Sequence, residues 1–372
     1  MDSSGQADAA AGHARWLGHV DRAQAVEAGL GSSDAVAGGP SSQRIAGVPA
    51  LTESRHGSQP EIFLFIGILS GAGQEQRRAA VREAWSQAAQ QPGQVAARFV
   101  LSQWERSPAV DAEQAQHGDI IFLSERTNYS TIGLKTYHIL EYAVSAFRPA
   151  FVLKTDDDAY VNVPALLPAL RALCVTPGCR GQERLYIGAE LRNSSVVTEP
   201  GHRWNNEAFV NHTGLSVYPS YMGGGGYVLS ADLAAALVKL HTQVAPLKHT
   251  TAEDVTLAMW LLPCDGVRRV DHPGFRTQAG HCCAHEIERQ RMIVFLPRSQ
   301  AANTTNAARL PTTPELPLED RLQLTEEAVG RLCGPNPWLV VHKLEPDWIR
   351  LVGRHVARCP TVPASQAELE AS

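Results

Sequence analysis

Apolar positions along this chain gather into short unbroken runs, separated by segments with helical spacing. The run Ile62-Phe63-Leu64-Phe65-Ile66-Gly67-Ile68-Leu69 is continuous, as in a parallel strand buried on both faces. The turn Ser70-Gly71-Ala72-Gly73 follows it and leads into a predicted helix over about 74–89. Further strands are predicted at 97–102, 119–123 and 151–155, with helices over 109–117 and 133–147. Strand and helix alternating at this spacing predict a doubly wound α/β sheet.

The second half is less regular. A short strand is predicted at 185–188, then a polar loop carrying Trp204, then the glycine run Gly223–Gly226. Helices follow over 231–240, with Ser230 as N-cap, and over 253–262, and a late strand over 338–342. Residues 1–58, rich in Ala, Gly, Ser and Gln, read as a flexible stem or tail. One domain is expected over 59–359, with a surface insertion at 298–320 and a C-terminal tail at 360–372. There is no internal repeat.

Composition narrows this only a little. Of 372 residues, 44% are hydrophobic and 19% charged, which is ordinary for a globular chain with a sizeable core. A net charge of -5 gives no support for a nucleic-acid partner. No run of 18 or more apolar residues occurs, so no membrane span is expected, and the N-terminus has no signal-peptide pattern. Seven cysteines allow at most three disulfides and leave one thiol. The cluster His281-Cys282-Cys283-Ala284-His285 is the one zinc-like grouping, but adjacent cysteines do not readily share a metal, so loop or disulfide cysteines are expected there. Glycosylation sequons at Asn128, Asn193, Asn211 and Asn303 exceed chance placement and favour a secretory lumen.

The chemistry-bearing centre is Lys154-Thr155-Asp156-Asp157-Asp158, where an apolar strand runs into three carboxylates. Adjacent charges are not buried unpaired, so they are expected at the strand's carboxyl end, beside a hard divalent cation such as Mg²⁺ or Mn²⁺. A solvated turn is the bland alternative. A calcium loop fails because Val161 and Leu167 stand where glycine and a bidentate glutamate belong, and no P-loop occurs. Gly223–Gly226 would let backbone approach a ligand closely, or simply make a tight turn; Val228 breaks the dinucleotide fingerprint. Glu253-Asp254, opening a helix, either favour its positive end or provide a general base. Arg78 and Arg82, one turn apart, either cradle phosphate oxygens or form a solvated basic face. His342 is either a satisfied histidine or a metal ligand.

Together and in this order the motifs resemble the β1,3-galactosyltransferase family, which has a GT-A fold: a Rossmann-like, mostly parallel sheet flanked by helices, with an irregular acceptor-side half. The carrying segments are Arg78-x-x-x-Arg82-x-x-Trp85, His117-Gly118-Asp119-Ile120-Ile121, Leu134-Lys135-Thr136, Lys154-Thr155-Asp156-Asp157-Asp158, Leu185-Tyr186-Ile187-Gly188, Tyr218-Pro219-x-Tyr221-x-x-Gly224-x-Gly226-Tyr227, Glu253-Asp254-Val255 and Val341-His342-Lys343. They cover roughly residues 61–355. Within the family the chain is most similar to the branch acting on the glycosaminoglycan linkage region. The stretch between Cys283 and Cys333 is longer than that family suggests, and its usual N-terminal membrane anchor is not seen.

The resemblance implies UDP-galactose as donor, Mn²⁺ as cofactor, inversion at the anomeric carbon, a glycan or glycoprotein acceptor and a Golgi lumen. It implies Asp158 and His342, with Asp156, as metal ligands of an Asp-x-Asp motif, and Asp254 as the general base. Arg78, Arg82, Asp156 and Asp157 are expected to face the nucleotide. Gly224 and Gly225 are expected to leave room for galactose, and Trp204 and Glu253 to border the acceptor. Two alternatives stay open: transfer of N-acetylglucosamine from UDP-N-acetylglucosamine, and a nucleotide-sugar-binding protein without catalysis.

Overall fold

The computed structural model describes residues 59–276, 293–295 and 322–359, apart from positions 91, 126, 128–130, 177, 203, 245, 246, 248, 249 and 325. The stem, the zinc-like cluster, the insertion, the C-terminal tail and the sequons at Asn128 and Asn303 lie outside the described residues.

In chain order, β1 (Glu61–Leu69) leads through a short 3₁₀ turn to α1 (Glu75–Val81), which continues in a wide π-type turn, Arg82–Ser86. Next come β2 (Val95–Ser102), α2 (Pro108–His117), β3 (Ile120–Leu123), α3 (Ile132–Ala146) and β4 (Arg148–Asp156). Then follow β5 (Tyr160–Val161), α4 (Val163–Ala172), β6 (Leu185–Gly188), β7 (Glu190–Leu191), α5 (Glu207–Thr213), β8 (Tyr221–Met222) and β9 (Gly226–Ser230). The remainder is α6 (Ala231–Lys239), α7 (Glu253–Trp260), β10 (Arg268–Asp271), β11 (Phe275–Arg276), β12 (Ile293–Phe295), β13 (Leu322–Leu324), α8 (Glu326–Cys333), β14 (Val340–Val341) and α9 (Pro346–Val356).

Local chemistry sets several of these boundaries. The Ser107 hydroxyl accepts the Val110 N–H at 3.3 Å and opens α2, which ends where Gly118 takes the left-handed region at φ 65°. Asn162 opens α4 in the same way, accepting the Ala165 N–H, while its amide donates to the carbonyls of Leu332 and Trp338. Ser230 takes the N-cap position of α6 as expected, but its side chain makes no capping hydrogen bond. Its hydroxyl accepts the Leu185 N–H at 2.8 Å and donates to Asp232, and so ties β9 to β6.

The central sheet has seven strands in the order β10-β6-β9-β4-β1-β2-β3. Pairs β10–β6, β4–β1, β1–β2 and β2–β3 are parallel, whereas β9 is antiparallel to both β4 and β6. Six strands therefore point one way and β9 runs against them. β1 is buried along its length, as its unbroken apolar run predicts. Phe63, Ile66 and Ile68 join a core layer with Ala80, Val81 and Trp85 after β1, Val163, Leu166 and Leu170 of α4, and Ile349 and Val352 of α9. Phe65 and Leu69 face the opposite layer, made by α3, α6 and α7. Burying each such large apolar side chain contributes roughly 1.5–3 kcal/mol before the entropy of ordering is subtracted. The result is the α/β organisation expected: a mostly parallel sheet between two helical layers.

A second small sheet, β11-β14-β5, sits beyond the end of β4. The late strand predicted over 338–342 shrinks to Val340–Val341, because His342 and Lys343 turn away and Lys343 enters the left-handed region at φ 65°. Disulfides join Cys174 to Cys179 and Cys333 to Cys359; Cys264 is a free thiol. Among the described residues no helix is long and apolar enough to cross a membrane.

Candidate active site

The reversal of β9 makes the site. β4 delivers Asp156 at the carboxyl edge of the sheet, and an antiparallel neighbour must begin at that same edge. Thr155 pairs with Gly226, so the glycine run lies directly beside the acidic run. Two bonds fasten it there: Thr155 Oγ1 donates to the Gly225 carbonyl at 2.8 Å, and Lys154 Nζ donates to the Gly224 carbonyl at 2.5 Å.

β5 then leaves the sheet and pairs with β14, Tyr160 opposite Val341, and so carries His342 to the acidic run. The Leu344 N–H donates to the Asp158 carbonyl at 2.9 Å and fixes that approach. His342 Nε2 stands 3.0 Å from Asp158 Oδ1 and 3.3 Å from Asp156 Oδ2. Ligand atoms of Asp156, Asp158 and His342 all lie within 4.8 Å of one another. Asp158 Oδ1 and both ring nitrogens of His342 are buried without a well-oriented hydrogen-bond partner. Buried polar atoms normally find partners. Two carboxylates and an imidazole aimed at one point fit a divalent transition-metal ion such as Mn²⁺, so the expected ligand set is brought together. Burial would push Asp156 and Asp158 up, but Lys154 and His342 hold Asp156 well below the usual carboxylate range, and His342 lowers Asp158.

Asp157 points elsewhere. Its Oδ2 accepts from the Ser70 hydroxyl at 2.7 Å, its Oδ1 faces Arg77 at 3.3 Å, and its N–H donates to the Leu69 carbonyl. It ties the acidic loop to β1 rather than offering itself to a nucleotide.

On the other flank, Glu253 and Asp254 occupy the first turn of α7, where the helix dipole favours acids. The Gly224 N–H donates to Asp254 Oδ2 at 3.1 Å, and the Val255 N–H lies 2.9 Å from Oδ1. Burial, and then the negative charge of Glu253, push the Asp254 carboxyl up to about 6. Glu253 does not border an open acceptor space as expected. Its Oε1 accepts from Thr136 at 2.6 Å and Tyr227 at 2.5 Å, and its Oε2 pairs with Lys154 at 2.8 Å, so both oxygens are occupied by the protein.

The glycines also work differently from the expectation. A Cβ on Gly225 would land on the His342 ring, and one on Gly224 would come within 3.1 Å of Asp254 Oδ2. The space their missing side chains leave is filled by the candidate ligand and the candidate base, not kept for a sugar.

Arg78 and Arg82 do not face a nucleotide either; they are 0% and 3% exposed. Arg78 grips Glu113 through Nε and Nη2 at 2.8 and 2.6 Å. Arg82 holds both oxygens of Asp119 at 2.8 Å and reaches Glu113 at 2.6 Å. These two arginines and two acids form a buried, charge-balanced lock that joins α1 and its π-type turn to α2 and to the residue before β3. Arg78 also donates to the Ser70 hydroxyl at 3.1 Å, so it supports the site only through the Asp157 anchor.

Trp204 is 45% exposed on a loop tied to the start of α7, where Thr251 Oγ1 donates to the Asn205 carbonyl. That places it on the Asp254 side. Arg77, Lys154 and Lys343 are site residues not anticipated from the sequence. The period-two rule offered a signal for Lys154, which shares a strand face with Asp156; nothing in the sequence separated Arg77 from Arg78.

A galactosyltransferase family profile matches residues 76–273. Mouse (Mus musculus) β-1,3-galactosyltransferase 6 is 33% identical over 278 residues, 73% of this chain and 75% of that protein. Human (Homo sapiens) N-acetyllactosaminide β-1,3-N-acetylglucosaminyltransferase 2 is 30% identical over 58% of this chain and 54% of that protein. The crystal structure of the galactosyltransferase LgtC with donor and acceptor sugar analogs covers 82% of this chain and 99% of its own, at 15% identity and a TM-score of 0.35, a likeness too slight to bear on the site. Matched by the family profile from α1 through β10, and spanning 75% of the mouse protein, the chain belongs to the β1,3-galactosyltransferase family.

Proposed function

We propose that the chain transfers galactose from UDP-galactose to a sugar hydroxyl, with inversion and with a divalent cation, Mn²⁺ in the first instance, forming a β1,3 linkage on a glycan or glycoprotein. One observation carries this reading: Asp254 lies against Gly224, and His342 of the Asp156–Asp158–His342 cluster lies against the adjacent Gly225. An inverting displacement needs a base on the acceptor side and charge neutralisation on the leaving-group side, with the sugar carbon between them.

In this reading Asp254 accepts the proton of the acceptor hydroxyl while that oxygen attacks the anomeric carbon. The bond from that carbon to the phosphate oxygen breaks on the opposite face, and UDP leaves with the electron pair. Asp156, Asp158 and His342 would hold the cation, which when bound offsets charge gathering on the diphosphate. A single displacement requires no nucleophile from the protein. Trp204 flanks the acceptor side with an apolar ring. A Golgi lumen is proposed as the site of action on the family assignment and on the sequons at Asn193 and Asn211, both exposed.

N-acetylglucosamine as the transferred sugar is the second reading, favoured by the similarity to the human N-acetylglucosaminyltransferase. Donor turnover measured with UDP-galactose, UDP-N-acetylglucosamine and UDP-glucose, with and without Mn²⁺, separates the readings. Turnover of UDP-galactose alone supports the first. Preference for UDP-N-acetylglucosamine supports the second, and binding of UDP-sugars without turnover of any indicates a non-catalytic binder.

A further inference from the structure

Two cations from distant parts of the chain meet on one oxygen of Asp158. Lys343 Nζ lies 3.0 Å from Asp158 Oδ2, and Arg77 Nη1 lies 3.8 Å from that same atom. Arg77 also reaches Asp157 Oδ1 at 3.3 Å. The other oxygen, Oδ1, faces His342. Asp158 is thus divided: one oxygen on the ligand cluster, one under two positive side chains. Both cations keep an open flank, with side chains 38% and 31% exposed, unlike the buried Lys154, Arg78 and Arg82.

Lys343 is held in an unusual way. Its φ of 65° lies in the left-handed region, which a residue with a side chain occupies at some cost and which is found most often where surrounding structure enforces it for function. The enforcement is visible: the His342 N–H donates to the Arg276 carbonyl and the Leu344 N–H to the Asp158 carbonyl, one bond on each side of Lys343. The turn lays His342 and Lys343 on the same carboxylate. Asp158 does not need both cations when a divalent ion takes its charge. Released, an ammonium and a guanidinium with open flanks beside a cation site match the oxygens of a diphosphate.

We propose that Arg77 and Lys343 form a diphosphate clamp that rests on Asp158 and transfers to the phosphate oxygens of the nucleotide sugar when cation and nucleotide enter together. This rests on the reading of Asp156, Asp158 and His342 as the cation site. It assigns substrate binding to Arg77 and Lys343 instead of the buried Arg78 and Arg82.

The test is calorimetric titration of the full chain with UDP plus MnCl₂, with uridine, and with MnCl₂ alone. Lys343→Met and Arg77→Met are each expected to weaken UDP binding in Mn²⁺ by about tenfold or more, the scale of losing one charge-assisted contact. Uridine, lacking phosphates, should bind them as it binds the wild type. Affinity for Mn²⁺ alone should be unchanged or higher, because a competing cation has left Asp158. Lys343→Arg should recover part of the UDP affinity. Both side chains are partly exposed, and matched thermal melts verify folding. UDP binding equal to wild type in both Met variants overturns the clamp, as does an equal loss of UDP and uridine. If Asp158→Ala also binds UDP in Mn²⁺ as wild type does, the cation-site reading fails instead.

Discussion

The peptide N–H of Gly224 donates to the carboxylate of Asp254 at 3.1 Å, so the residue that lies against the acidic strand also orients the acid on α7. That acid has no cationic partner at contact distance among the described residues, and burial beside Glu253 raises its proton affinity. Asp254→Asn keeps the shape and the backbone contact but cannot take a proton. Transfer should fall by a factor of about 100 or more, the scale of general-base catalysis, while UDP and Mn²⁺ bind as before. Steady-state rates alongside calorimetry check this, and turnover within tenfold of wild type removes the role.

The same carboxyl sets a pH limb. A base works only when ionised, and its folded-state value is raised to about 6. Activity should therefore be level above pH 6 and decline as pH falls through that value, approaching about tenfold per unit. A rate profile at saturating donor and cation reads it. A limb centred near pH 4 would mean that burial does not govern the base.

Asp158→Ala removes the carboxylate shared by the ligand cluster and the two cations. Metal-dependent UDP binding should weaken by roughly ten- to a hundredfold. Titration of UDP in the presence and absence of Mn²⁺ gives the answer; an unchanged difference between the two conditions counts against the site.

Gly225→Ala is a single methyl placed on the ring of His342. The imidazole must leave its position or the glycine run must move away from β4. Mn²⁺ affinity should drop by about tenfold or more, with a smaller change in melting temperature. Wild-type Mn²⁺ affinity would show that His342 is not needed where it stands.

Arg82→Met separates architecture from binding. The guanidinium balances Asp119 and Glu113 in a buried lock, and breaking such a pair costs about 3–5 kcal/mol by leaving charge uncompensated. Denaturant unfolding should register that loss, whereas UDP affinity of the folded fraction stays at wild type. A selective loss of UDP binding would return the arginine to the nucleotide.

How much of this was legible in the sequence depends on distance along the chain. β1, α2, α3 and β6 declared themselves through local periodicity, and the acidic run lies at the strand end its apolar lead-in implied. β9 was less plain, because Gly226-Tyr227-Val228-Leu229-Ser230 reads equally as the end of a glycine turn; only pairing with β4 makes it a strand. Arg78 and Arg82 misled for a similar reason. One helix face bearing two arginines looks the same whether it meets phosphate or meets Glu113 and Asp119 from other elements. Glu253 was recognised as chemically important, but its partners Thr136, Lys154 and Tyr227 come from three other segments, and no local pattern records that convergence.

The pairing of β5 with β14 has a consequence for how the protein comes into being. Synthesis runs from the N-terminus, and every strand of the central sheet comes from residues 61–271. His342 and Lys343 emerge only afterwards, on a strand that must dock against Tyr160-Val161. A chain that has emerged only through β10 thus lacks one proposed ligand for the ion and one arm for the phosphates. Tight ion binding would be acquired late and all at once, making it a readout of chain completion that partial folding products cannot imitate.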